Sequence, residues 1–181
     1  SLVGNGYKRY REQYQSLRDL GCAAVVTVMH AGTEYAYAAP DRYQKQIVTR
    51  AVQCGTDLVV GHHPHVVQGY AVLEGVPAVY SLGNCSFGGT TRARDSDALA
   101  LQVIMRFEKG RLTEQELHFY PLSITGDERY NDYSPVFLTG SGAERVLAKM
   151  EKSTGWAPGT FEEKEGAVVS VPSAAAVSGS E

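Results

Sequence analysis

The chain has 181 residues, of which 43% are hydrophobic and 20% are charged, and its formal net charge at pH 7 is −3. This length allows one domain with a hydrophobic core, and the composition is ordinary for a globular protein. The small net charge argues against binding to nucleic acid or to an anionic membrane surface. No apolar run approaches the roughly 20 residues that cross a bilayer, so we expect no membrane segment in this chain.

The start of the chain predicts a helix followed by a β-α-β unit. Tyrosine and leucine residues at helical spacing predict a helix over 7–20, and a nearly continuous apolar run predicts a buried parallel strand over 23–29. Pro40 opens a second helix that Gly55 ends, and the next strand covers 57–60. The crossover between the two strands should be right-handed.

The rest of the chain predicts antiparallel strands and one further helix. A Glu-Gly turn joins two apolar runs in a hairpin, and alternate residues of a later run are apolar, as in a strand with one buried face. A Ser and a Glu three residues apart form a capping box at a helix start. The hairpin strands are 66–73 and 76–82, the later strands are 99–107 and 111–120, and the helix covers about 142–152.

The predicted organisation is one domain over residues 1–160 and a disordered tail over 161–181, a stretch rich in Ala, Ser, Val and Glu. The predicted topology is incomplete, because no strand precedes the first helix and two parallel strands make a poor sheet. We therefore expect that the chain pairs with another polypeptide or that it lacks the first half of a larger domain.

Histidines follow both predicted parallel strands. His30 ends the first run, and His63 and His65 follow the second. Because the carboxyl ends of parallel strands meet at one edge of a sheet, we expect these three residues to share a site. Neutral imidazole is the commonest side-chain metal ligand, and Pro64 stiffens the turn that carries the pair. The alternative is a histidine-rich surface loop that only forms hydrogen bonds. His62 is expected to face away from the pair or to point to substrate or solvent.

Few other polar residues are placed to complete such a site. Glu34 lies in the loop after His30, and Asn84 follows a later strand, either as a polar site residue or as a turn residue. Three neutral imidazoles can hold one zinc ion with an open position for water. Two adjacent dications need a bridging anionic ligand, and no carboxylate is obviously placed for that role. His118, in a distant strand, is expected to be structural.

Three motifs in a fixed order resemble a known family. They are HAGTEY at 30–35, GHHPHVVQ at 61–68 and YSLGN at 80–84. Together they resemble the bacterial capsule-synthesis protein CapA family, which is associated with poly-γ-glutamate capsules and belongs to the calcineurin-like metallophosphoesterase superfamily. The resemblance implies an α/β (mixed α+β) fold, part of a metallophosphoesterase-like sandwich of two mixed β-sheets flanked by helices. Ala31 departs from the family, which usually has Trp there.

The resemblance also implies roles for individual residues. His30 and His63 would bind one divalent metal ion and His65 a second, with Mn, Fe or Zn as suitable metals, and Glu34 and Asn84 would contribute to substrate binding. The superfamily's early motifs, which supply aspartates and further ligands, are absent from the sequence. The chain therefore resembles the C-terminal half of such a protein, and its partner would be the N-terminal half, in the same chain or in a separate one.

The function implied is part of a CapA-like protein of poly-γ-glutamate capsule synthesis. Its site would be of the metal-dependent hydrolase type, similar to a phosphoesterase, for a phosphate-containing substrate or an anionic polymer. The alternative is a non-catalytic scaffold or binding protein of capsule-polymer assembly with the same fold. A further alternative is a self-sufficient zinc hydrolase with three histidine ligands. The resemblance implies an extracytoplasmic location, with any membrane association through regions absent from this chain.

Overall fold

A computed structural model describes residues 6–127, 129–154, 161–164, 167–170 and 173–174. Three helices and ten strands occur among these residues. The helices are α1 (Gly6–Asp19), α2 (Arg42–Cys54) and α3 (Gly140–Thr154). The strands are β1 (Val26–His30), β2 (Leu58–His62), β3 (Val67–Leu73), β4 (Val76–Leu82), β5 (Asp97–Glu108), β6 (Arg111–Ser123), β7 (Val136–Phe137), β8 (Phe161–Lys164), β9 (Ala167–Ser170) and β10 (Ser173–Ala174).

The first sheet has the strand order β1-β2-β4-β3. β1 and β2 pair in parallel through the β-α-β unit, as the sequence predicted. β4 also pairs in parallel with β2, while β3 and β4 form the antiparallel hairpin. The parallel part therefore has three strands instead of the two expected, because the hairpin returns β4 alongside β2.

The second sheet is built on the long β5–β6 hairpin, whose strands are joined at Lys109 and Gly110 in the left-handed region, at φ 49° and 77°. β7, β9 and β10 also pair with β6, and every described pairing is antiparallel. The expectation of two mixed sheets thus holds only for the first, because short turns join antiparallel neighbours whereas parallel strands need long crossovers. The architecture is an α/β arrangement of two sheets with flanking helices.

Three short strands lie in the range where the sequence predicted a disordered tail. β9 pairs with β6 through Val168 and Val169, opposite Phe119 and His118. β-branched residues favour extended backbone, and β6 offers them a long edge. The other residues of 161–181, and the predicted domain boundary near residue 160, lie outside the described residues.

The two sheets pack face to face. One buried cluster joins the first sheet to the second and to α3, and a second cluster packs α2 against the first sheet. The inter-sheet cluster includes Leu58, Val79, Phe119 and Met150, and the α2 cluster includes Val48, Ala51 and Val59. Among the described residues, no helix is both long enough and apolar enough to cross a bilayer. The core therefore lies between layers and leaves the strand ends free for a site.

A buried ion-pair network ties α3 to the loop before β5. The Lys149 ammonium lies 2.7 Å from Asp95 and 2.8 Å from Asp97, and Arg145 lies 2.8 Å from Asp97. Burial raises the pKa of the Asp97 carboxyl, but the hydrogen bonds from Arg145 and Lys149 outweigh burial and hold that pKa below its usual range. The network fixes the end of the 85–96 loop.

Candidate metal centre

The loop that carries Glu34 folds back onto the histidine turn. The Tyr35 N–H donates to the Pro64 carbonyl at 2.8 Å, and Tyr35 has a φ of 58°, in the left-handed region. Gly32 has a φ of 127°, and a Cβ on it would lie 2.6 Å from the Gln44 side chain. The loop can therefore close in this way only with glycine at this position.

Two buried glutamines hold this loop in place through hydrogen bonds. Gln44 and Gln68 are fully buried, and the Gln44 amide donates to the Gln68 side-chain oxygen at 2.7 Å. The Gln68 amide in turn donates to the Ala36 carbonyl at 2.8 Å. Buried amides that satisfy one another in this way fix one geometry, because any other arrangement leaves a polar group unpaired. The position of the 31–36 loop is thus tied to α2 and β3.

The histidine turn begins where β2 lies close against β4. A Cβ at Gly61 would lie 2.0 Å from the Tyr80 carbonyl oxygen, so only glycine fits there. His63 and His65 have φ values of 103° and 60°, an uncommon conformation for residues other than glycine. Such strain costs about 1–3 kcal/mol for each residue and is concentrated at functional sites in proteins. The turn is therefore held in a conformation that its own sequence does not favour.

The three predicted histidine ligands and Asn84 lie in contact. His63 Nδ1 lies 3.2 Å from His30 Nε2, and the two ring centroids are 4.8 Å apart. His65 Nδ1 lies 2.8 Å from Asn84 Oδ1. Because the Asn84 oxygen can only accept, the His65 Nδ1–H must donate, which leaves the lone pair on Nε2. A hydrogen bond of this kind commonly orients a metal-ligating histidine.

Glu34 brings a carboxylate to the same place. One ligand atom from each of Glu34, His63 and His65 lies within 4.8 Å of the others. The sequence placed Glu34 in the loop after His30 but gave no carboxylate an obvious position for bridging two ions, because the fold of the 31–36 loop is not visible in sequence spacing. Glu34 was predicted to bind substrate, and its position also suits a metal ligand.

The donor set fits a divalent metal ion. Bonds of about 2.1 Å hold neighbouring ligand atoms roughly 3–3.5 Å apart. The His30–His63 nitrogen separation of 3.2 Å has this value. The ligand atoms of Glu34, His63 and His65 lie within 4.8 Å of one another, so a shared ion would require them to move closer together. Imidazole with carboxylate suits zinc, iron or manganese, the metals that the family resemblance implied, and the metal itself stays a prediction.

His62 lies beside His30 and was predicted to face away from the ligand pair. The two residues are paired in register on adjacent strands, and aligned residues in a parallel pair have side chains on the same face. Burial lowers the pKa of His62, and the neighbouring His30 lowers it further. His118, expected to be structural, is buried and contacts Glu116 in β6. Neither belongs to the Glu34, His63 and His65 group.

Sequence reasoning missed the aromatic and cationic wall of the centre. The Phe87 ring meets the His65 ring edge-on at 5.4 Å, and the Tyr35 ring lies 6.0 Å away from His65. Arg94 stacks on Tyr35. Asn131 donates to the Phe87 carbonyl at 2.6 Å and so holds that loop in place. The available signal was a Gly/Thr/Arg-rich composition over 85–96, which does not reveal where the loop folds.

Comparisons with known proteins identify the family. Residues 4–88 match the sequence model of the family described as bacterial capsule synthesis protein PGA_cap. The chain is 45% identical over 73 residues to the PGA biosynthesis protein CapA of Bacillus subtilis (strain 168), a match that covers 40% of this chain and 19% of that protein. It is 42% identical over 73 residues to the capsule biosynthesis protein CapA of Bacillus anthracis, covering 40% of this chain and 18% of that protein.

Residues 4–88 match the bacterial capsule synthesis family, and the two CapA relatives support the family assignment that the three motifs predicted. The matched stretch contains Glu34, Asn84 and the three predicted histidine ligands. The chain matches about a fifth of the length of these two curated relatives. The metal-binding and substrate-binding roles of the five residues stay predictions.

Proposed function

We propose that this chain provides the histidine-rich part of a metal-dependent hydrolase site in a protein of capsule biosynthesis. The observation that carries the proposal is the convergence of Glu34, His63 and His65 within 4.8 Å, beside the His30–His63 contact. The family and the names of the two relatives support the role in capsule biosynthesis. Because a capsule lies at the cell surface, we propose that the protein acts outside the cytoplasm.

The two metal ions would have different numbers of ligands among the described residues. His30 and His63 would bind one ion and His65 a second, with Glu34 as the nearby anionic ligand. Bound metal would supply an activated water and stabilise negative charge that develops on a phosphate or acyl oxygen. Asn84 would orient His65 through its Nδ1–H. Four donor residues are too few for two dications, so the remaining ligands would come from another part of the protein.

The free edge of β1 indicates where that part would attach. Within the described part of the chain, β1 pairs with β2 alone. The Val25 carbonyl and the Ala31 N–H bond toward β2. The backbone N–H and C=O groups of successive residues point alternately to the two sides of a strand. Those of Val26 and Val28 therefore point away from β2. An edge of this kind is a template for another strand.

Apolar side chains line the same edge. Val26 is 45% exposed and Val28 is 69% exposed, although strands of a parallel sheet are normally covered on both faces. A groove of about 460 Å³ runs between α1 and β1 and is lined in part by Tyr14, Leu17 and Val26. We propose that a strand from a further segment of the protein fills this edge and, running parallel to β1, ends beside His30. The two relatives have several times the matched length and so contain sufficient chain for such a segment.

Metal content tests the shared site. Zn²⁺ or Mn²⁺ bound per chain would be measured for the 181 residues alone and for a longer polypeptide that joins them to the segment supplying the remaining ligands, whether one gene or two encode the two parts. We expect weak binding by the 181-residue chain and tight binding of two ions by the longer one. Tight binding by the isolated chain that does not change in the longer polypeptide contradicts the shared site.

A pair of matched variants tests the position of the interface in the longer polypeptide. Val28→Lys should reduce metal content to that of the isolated chain, because a buried lysine prevents strand pairing. Val72→Lys, on β3 at the opposite edge and 47% exposed, should leave metal content unchanged.

Hydrolysis of bis(p-nitrophenyl) phosphate by the metal-loaded protein tests the enzymatic role. Full metal loading without turnover would favour the alternative, a non-catalytic scaffold of capsule assembly.

Asn84→Leu is expected to weaken Zn²⁺ binding by the chain about 10- to 100-fold. Leucine has a similar size but cannot accept the His65 Nδ1–H, so the imidazole loses its orientation. Isothermal titration with Zn²⁺ would measure the change, and Asn84→Asp, which keeps an acceptor oxygen, is the control. Equal affinity of Asn84→Leu and the unchanged chain would show that Asn84 is only a turn residue.

A further inference from the structure

We infer that Arg94 determines specificity at this site by binding an oxyanion group, phosphate or carboxylate, of the substrate. The inference rests on the proposed function, because it assigns the substrate class of the same site. It arises from the contact between Arg94 and Tyr35, a residue of the loop that also carries Glu34. The sequence did not indicate this contact, since 59 positions separate Arg94 from Tyr35 in the chain.

The Arg94 guanidinium lies close to the candidate ligands. Its carbon atom is 4.4 Å from the centroid of the Tyr35 ring, which is in turn 6.0 Å from the centroid of the His65 ring. These two distances place the guanidinium within about 10 Å of the His65 ring. A phosphate or carboxylate group of a substrate bound beside His65 would be within reach of the guanidinium over such a distance. The hydrogen bond from Tyr35 to Pro64 holds the platform against the histidine turn.

The charge of Arg94 is not neutralised locally. Its side chain is exposed, and no carboxylate pairs with it in the part of the chain that the structure describes. The two nearest acidic residues in sequence, Asp95 and Asp97, are already held by Lys149 and Arg145. Asp95 therefore fixes the backbone next to Arg94 without pairing with its guanidinium.

Stacking leaves the guanidinium ready to bind. A guanidinium that lies over an aromatic ring is attracted through its charge, so its N–H donors are not used up by the ring. Those donors form a fork that matches a phosphate or carboxylate bidentately. Because the ring and the flanking aspartate already restrict the side chain, little further ordering is needed on binding. The arrangement is therefore suited to an oxyanion that also contacts the metal centre.

Arg92 is the matched control within the same loop. It is also an exposed arginine, and no described ring contact or ion pair involves its side chain. A general attraction of the loop for anions would depend on both arginines equally. A specific oxyanion-binding site would depend on Arg94 and not on Arg92.

Titration of the 181-residue chain with inorganic phosphate, and separately with acetate, tests the inference by NMR. We expect Arg94→Met to lower the affinity for at least one of these ions about 10-fold, Arg94→Lys to lower it less, and Arg92→Met to leave it unchanged. The Arg94 Nε–H resonance should shift on saturation of the unchanged chain. Thermal unfolding of each variant would verify its fold, and Zn²⁺ titration would verify an unchanged metal site.

Equal affinity of Arg94→Met and the unchanged chain for both ions would overturn the inference, as would the absence of binding by the unchanged chain. These outcomes are distinct from a failure of the proposed function. If the longer polypeptide does not bind Zn²⁺ but oxyanion binding still depends on Arg94, the metal centre is wrong and the oxyanion site stands. If Zn²⁺ binds and oxyanion binding does not depend on Arg94, the oxyanion site is wrong and the metal centre stands.

Discussion

His63→Ala and His65→Ala are each expected to lower the Zn²⁺ affinity of the chain by at least about 100-fold, since even the loss of a residue that only orients a ligand costs 10- to 100-fold. Each substitution removes an imidazole from a set that already has few donors, and water replaces it poorly. Glu34→Gln should have a similar effect, because the neutral amide removes the only carboxylate of the described group. Isothermal titration with Zn²⁺ at fixed pH would measure all three affinities.

His62→Ala is the matched control for these ligand variants. His62 lies beside His30 in the paired register but outside the Glu34, His63 and His65 group. Its removal should leave Zn²⁺ affinity within about threefold of the unchanged chain, a change of less than 1 kcal/mol. If His62→Ala reduces affinity as much as His63→Ala, the ligand assignment is wrong. His30→Ala tests the alternative of a self-sufficient zinc site of three histidines, since that site should lose its metal, and unchanged affinity would rule it out.

Lys149→Met is expected to lower the free energy of unfolding by about 3 kcal/mol, because breaking a buried ion pair leaves an uncompensated charge. Lys149 binds Asp95 and Asp97, whose side chains are only 6% and 5% exposed. The lysine itself is 27% exposed, so water relieves part of the cost and the lower end of the range applies. Asp97 retains Arg145, whereas Asp95 loses its ammonium partner.

Urea unfolding would measure this effect, with Arg106→Met as the control. Arg106 pairs with Glu114 at 2.9 Å, but its side chain is 65% exposed, and such surface pairs contribute less than about 1 kcal/mol. We also expect the NMR resonances of Arg94 and its neighbours to shift in Lys149→Met, because Asp95 holds the backbone next to Arg94. Equal unfolding free energies of the two variants would show that the network adds no stability.

The β-α-β unit could be predicted because its signals are local. Helical spacing predicted a helix over 7–20, and α1 covers Gly6–Asp19. The apolar run predicted a strand over 23–29, whereas β1 covers Val26–His30. A strand is defined by its partner, and the ladder to β2 begins only at the Val26–Leu58 pair. Strand limits are therefore less visible in the sequence than helix limits.

The antiparallel second sheet followed partly from the same local signals. Alternation predicted strands at 99–107 and 111–120, and β5 and β6 are longer by several residues. The pairing of β9 and β10 with β6 was not predicted, because such short segments acquire strand structure only from the edge they meet. The parallel pairing of β4 with β2 was missed for a related reason, since no sequence pattern states which strand lies beside which.

The sequence by itself determined the motifs that match the capsule synthesis family and the β-α-β unit, and it predicted the five candidate site residues, because motif order and periodicity are properties of neighbouring positions. Only the tertiary structure decided that Glu34 joins His63 and His65, that Asn84 contacts His65, and that Arg94 stacks on Tyr35. These contacts depend on left-handed backbone at Tyr35 and the histidine turn and on the buried Gln44–Gln68 pair. Such contacts join residues that are distant along the chain, and packing of the whole domain selects them.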